Sequence, residues 1–228
     1  MLLSSLDLLL DNPFIGFALL LAVIVSMVGA ITVHEAAHAL AATLQGDPTA
    51  SRLGRLTLNP RAHLDPAGTL LLLVAGFGWG KPVPVDIRRL RSGRAGFALV
   101  SAAGPAANLL SAALLGIAFQ TGLLDAHAVT AAGLRAMQTD AWAGLVGLYA
   151  VQLSLVLAAF NLLPVPPLDG GHILLGLAPR AWLPALTTLA KWGPIAFIVL
   201  VGVSIAGLAD PLGVLFGPVL ALSRALTG

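Results

Sequence analysis

The sequence predicts an all-α polytopic membrane protein of about four to six transmembrane helices with a short re-entrant β-hairpin. Three observations carry that expectation. Of 228 residues 58% are hydrophobic and only 10% charged, whereas soluble domains carry about a quarter charged residues. Several apolar runs reach the roughly 20 residues that a spanning helix needs. The basic residues are also segregated in the way that cytoplasmic loops of membrane proteins require.

The first span is expected over residues 14–44, because its apolar run continues past Val33 through His34 and His38. No Lys or Arg precedes it, and Asp7 and Asp11 do. A cleavable signal peptide begins basic, so this leading segment is expected to belong to the mature protein. Further spans are expected over 97–124, 142–163 and 193–208. Residues 69–85 hold a run too short to cross, followed by Gly78-Trp79-Gly80-Lys81-Pro82-Val83-Pro84-Val85. They suit a re-entrant hairpin whose exposed edge could hold an extended peptide, or an apolar loop packed on the bundle. Residues 212–226 suit an interfacial or re-entrant helix. All of this is read as one membrane-embedded domain, 1–228.

Arg52, Arg55, Arg61, Lys81, Arg88, Arg89, Arg91 and Arg94 occupy the loop after the first span, and Arg180 and Lys191 lie on the same side. Only Arg135 and Arg224 lie opposite. The N-terminus is therefore expected outside and the basic loop inside. No aromatic or glycine-rich signature of RNA binding accompanies the charge, so no nucleic-acid partner is expected. The lipid bilayer is the expected surrounding. A composition rich in Ala, Leu and Gly, without a eukaryotic targeting segment, favours a bacterial inner membrane with the site toward the cytoplasm.

The sequence has no cysteine, which removes thiolate metal sites. It does contain His34-Glu35-Ala36-Ala37-His38. Histidines four apart on a helix share one face and can hold one zinc, with Glu35 placed to act on a water there. Charge inside a membrane helix is costly and marks function; Glu35 is also the chain's sole glutamate. A catalytic zinc usually takes three protein ligands, so the third must be Asp or His. His63, Asp65, Asp86, His127, Asp169 and His172 are the candidates. Topology puts His127 on the wrong face, and it leaves His63, Asp65 and Asp86 among arginines. Asp169 falls on the correct side at the right depth. It follows Pro164, Pro166 and Pro167 and precedes Gly170 and Gly171, so a rigid non-helical segment is expected to aim it.

These residues resemble the site-two protease family of intramembrane zinc metalloproteases. The likeness rests on His34-Glu35-x-x-His38 and on Asn161-x-x-Pro164-x-x-Pro167-Leu168-Asp169-Gly170-Gly171. Gly78-Trp79-Gly80-Lys81-Pro82-Val83-Pro84-Val85 and Gly104-Pro105-x-x-Asn108 extend it over roughly residues 10 to 180. It implies one zinc on His34, His38 and Asp169, Glu35 as catalytic base, and Asn161 near the metal as an oxyanion donor. Asn161 could equally cap its own helix. Asn108 could contact substrate or pack helices. The implied activity is hydrolysis of peptide bonds within transmembrane segments of single-pass membrane proteins. The chain looks like a compact form without PDZ or CBS domains. Leu58-Asn59-Pro60-x-x-His63-x-Asp65-Pro66 resembles a feature of compact members and is read as a structural turn. A prenyl-peptide protease would need a second glutamate, a transporter would show paired repeats, and a pseudoprotease would lack a ligand or Glu35.

Overall fold

The structure, a computed structural model, describes residues 12–66, 68, 80–205, 207 and 210–228. Among these the chain forms α1 (Pro13–Leu44), a single turn α2 (Thr49–Arg52), α3 (Gly93–Gln120), α4 (Ala131–Arg135), α5 (Thr139–Asn161), α6 (Asp169–Leu177), α7 (Leu183–Ile205) and α8 (Pro211–Thr227). Helices α1, α3 and α5 are long and apolar enough to cross a membrane. They pack on one another, with α6 against α3 and α8 against α5 and α3.

α1 begins on Pro13, whose missing N–H is no loss in the first turn. Its buried face includes Ala18, Ala22, Ser26, Ala30, His34, His38 and Ala42, one residue in every four. Steps of four trace a single ridge along a helix. Small residues on such a ridge let membrane helices approach closely, where van der Waals packing and polar contacts hold them. Ala18 and Ala22 meet Leu134, Ala141 and Leu145, and Ser26 Oγ donates to Val146 O at 3.0 Å. Ala112 and Phe119 of α3 pack with Val151 and Leu155 of α5. The outer surface is apolar: Leu21, Val25, Leu40, Leu109, Leu110, Leu114 and Ile117 are exposed, which is what a helix turned to lipid shows.

Several boundaries differ from expectation. α3 starts at Gly93 and ends at Gln120, short of Leu124, because Gly122 turns the chain at a φ of 75°. α7 begins at Leu183 rather than near Gly193. Pro184 sits in its first turn, where a missing N–H is no loss. Residues 212–226 are helical, as α8, and its Leu226 packs close to Gly116 of α3. Of the proposed hairpin over 69–85, residues 69–79 lie outside the described residues. Residues 81–86 form no helix, turn or strand, and Leu64 and Gly80 make one antiparallel bridge.

The segment after α5 also corrects an expectation. Its irregular part ends at Leu168, and Asp169 is already the first residue of α6. Pro164, Pro166 and Pro167 block helix before that point. Beyond them the chain meets no further proline until Pro179.

Candidate metal centre

The ridge of α1 delivers His34 and His38 side by side into the bundle. Their rings stand 4.6 Å apart, centroid to centroid, at 84°, and they are 5% and 8% exposed. α3 passes beneath them at Gly104. A side chain there would collide with the Nε2 atoms of both histidines, so only glycine lets α3 come so close.

Asp169 arrives from the far end of the sequence. A Cβ on Gly170 would strike the carbonyls of Leu162 and Leu163, and one on Gly171 would strike Pro166. The two glycines thus allow α6 to fold tightly back onto the end of α5. The first turn of a helix also favours a carboxylate. Asp169 Oδ2 lies 3.0 Å from His34 Nε2 and 3.4 Å from His38 Nε2. Burial works against its charge, but hydrogen bonding and attraction to both imidazoles prevail and hold its pKa down at about 2.

The donor set fits a zinc ion. His34, His38 and Asp169 place one ligand atom each within 4.8 Å of the others, the one such group among the described residues. Metal–ligand bonds of about 2.0–2.1 Å put tetrahedral ligands about 3.3 Å apart, close to the separations seen. His38 gives the sharper test. Its Nδ1 lies 2.7 Å from Val100 O, a carbonyl that can only accept, so Nδ1 carries a proton. In the neutral ring Nε2 then turns a bare lone pair toward the Asp169 carboxylate, which is repulsive unless a cation stands between them. An imidazole oriented by a backbone carbonyl is a common arrangement around zinc.

The remaining residues separate. Asn108, one turn beyond Gly104, is 1% exposed, and neither Nδ2 nor Oδ1 has a partner among the described residues. Asn161 Nδ2 donates to Leu157 O at 2.9 Å, closing its own helix. His172 leaves the cluster and packs against Phe97. Asp65 accepts from Gly68 N, Asp86 pairs with Arg88 and Arg89, and His63 Nε2 lies 2.8 Å from Thr57 O. Residues around 59–66 thus form the structural turn expected of them. Gly104 escaped sequence reasoning as part of the site. It lies in the Gly104-Pro105-x-x-Asn108 motif, whose spacing does not reveal the approach to both imidazoles.

Residues 126–201, the stretch carrying Asp169, match the profile of Peptidase family M50. The candidate zinc metalloprotease YwhC of Bacillus subtilis is 44% identical over 179 residues, covering 78% of each chain. The chain belongs to peptidase family M50. Similarity extends to the candidate zinc metalloprotease Rip2 of Mycolicibacterium smegmatis, 32% identical over 83% of this chain and 70% of that protein. The Rip2 of Mycobacterium tuberculosis is 35% identical over 65% of this chain and 54% of its own length. No solved structure matches. This M50 peptidase is a zinc metalloprotease and an integral membrane protein by the three long apolar helices among its described residues.

Proposed function

We propose that this M50 peptidase cuts peptide bonds inside the transmembrane segments of single-pass membrane proteins. The observation that carries the reading is the meeting of His34, His38 and Asp169 on the buried ridge of a helix long enough to span the bilayer. In this proposal those three residues hold one zinc per chain. Zinc supplies a Lewis acid for the scissile carbonyl and for the attacking water.

Glu35 follows His34 on α1, so its carboxylate is carried to the edge of the same site. It accepts the proton of the attacking water and returns it to the leaving amine. Asn108 offers a buried donor and acceptor with no partner of their own, and an unwound substrate backbone could satisfy both. Asn161 would serve the developing oxyanion only by giving up its bond to Leu157. In this proposal the metal end of α1 faces the cytoplasm of a bacterial inner membrane, a reading supported by the basic residues Arg52, Arg61, Arg88, Arg89 and Arg91 in the loop after it.

Two measurements test this. Zinc analysis of detergent-purified protein should give one ion per chain in the wild type and in Glu35→Gln, and none in Asp169→Ala. Incubation with a single-pass membrane substrate should show cleavage by the wild type and none by Glu35→Gln. Equal zinc in Asp169→Ala would remove the third ligand, and cleavage by Glu35→Gln would remove the base.

A further inference from the structure

The segment Gly80-Lys81-Pro82-Val83-Pro84-Val85-Asp86 lies against α1 beside Glu35. Both of its ends are tied. Lys81 N–H donates to His63 O at 2.7 Å, and the Lys81 carbonyl accepts from the Arg55 guanidinium. At the other end Asp86 N–H donates to Asp47 Oδ2 at 2.7 Å. Gly80 approaches so closely that a Cβ would lie 2.9 Å from Ile31 Cγ2 and 3.2 Å from Glu35 Oε1. Between the ties, Pro82 and Pro84 have no N–H. Val83, three residues on from the Gly80 that packs against Glu35, provides the one amide donor between them.

Arg55 is the unusual member of this arrangement. It is 5% exposed, and among the described residues its Nε has no partner and it forms no ion pair. A buried cation without a close counter-ion is costly. The strap that it ties down at Lys81 packs against Glu35 through Gly80. A neutral side chain could fill the same space at lower cost, so the charge and fork of arginine need another explanation.

We propose that Arg55 is a positioning residue for Glu35. By pinning the Lys81 carbonyl it holds the strap 80–86 down, so that Val83 N–H fixes one carboxylate oxygen and leaves the other to take the proton. The inference rests on Glu35 being the base. It also explains the Pro-Val-Pro pattern: flanking prolines restrict the backbone and leave a single donor aimed at one place.

The test uses the full chain in detergent with a single-pass membrane substrate, comparing Arg55→Ala, Arg55→Lys and Val83→Pro. Val83→Pro deletes the N–H within a run already restricted by proline. Rate is expressed as kcat per bound zinc, which removes any loss of folded or loaded protein. A hydrogen bond to a charged group contributes about 1.5–3 kcal/mol, roughly 10- to 100-fold in rate. Arg55→Ala and Val83→Pro should each lower kcat per zinc by that factor with KM little changed, and Arg55→Lys should recover part of it. Amide exchange in the 80–86 peptide should quicken in Arg55→Ala. Wild-type kcat per zinc in either Arg55→Ala or Val83→Pro overturns the proposal. Glu35→Gln separates the two readings: if it still cleaves, the assignment of the base fails. If it is inactive while Arg55→Ala is undisturbed, the positioning role alone fails.

Discussion

A methyl group at Gly104 would lie 2.6 Å from His34 Nε2 and would press on His38 Nε2 as well. Gly104→Ala must therefore move α3 or turn the imidazoles. Overpacking of this kind costs about 1–3 kcal/mol, so zinc affinity should fall roughly tenfold or more, measured by competition with a chelator. Asp47 is a different case, since it acts on the loop. It is fully buried, and it accepts from Thr49 N, Thr49 Oγ1 and Asp86 N. Burial pushes its pKa up, but these bonds win and hold it below the ordinary 3.8. Its stabilisation is present above pH 3.8 and fades as pH falls through the lower folded value. Asp47→Asn should lower thermal stability at neutral pH, and the gap to wild type should narrow below pH 3.8. His34, His38 and Asp169 were readable because spacing, rarity of acids and charge topology all bear on them. Gly104 and Arg55 were not, since each matters through a contact with a segment far away in the chain.

At the scale of elements, the three long apolar helices were legible from run length alone. The shorter pieces were not. α6 begins within a proline- and glycine-rich stretch that reads as loop, because the sequence does not reveal that Gly170 sits against the carbonyls of Leu162 and Leu163 just past α5 and Gly171 against Pro166. α7 starts early for a similar reason, with a proline at a position where helices accept one. The placement of Asp169 depends on how closely α6 lies on α3. Gly176 is the contact point, where a Cβ would be 2.7 Å from both Ala98 Cβ and Arg94 O. Arg94 also reaches across to the carbonyls of Leu175 and Ala178. Gly176→Val should lift α6 and withdraw Asp169. The expected result is lost zinc with a helical content by circular dichroism like that of the wild type.

For the molecule as a whole, the proposed ligands come from stretches far apart in the sequence. His38 and Asp169 are separated by 169 − 38 = 131 residues. A metal shared between them is a cross-link, and it closes a loop that contains α3 and α5. For a free chain, closing a loop of that length removes denatured-state entropy equivalent to roughly 5 kcal/mol. Helices that stay threaded in the bilayer have less freedom to lose, so the figure is an upper bound. Chelation should then lower the melting temperature as well as stop cleavage, and Glu35→Gln should melt like the loaded wild type. The glycine pair behind Asp169 thereby acquires a second consequence. It turns the catalytic ion into a buckle between the first and last parts of the core, so a cell that runs short of zinc would hold a looser protein, open to degradation, rather than an intact enzyme waiting for metal.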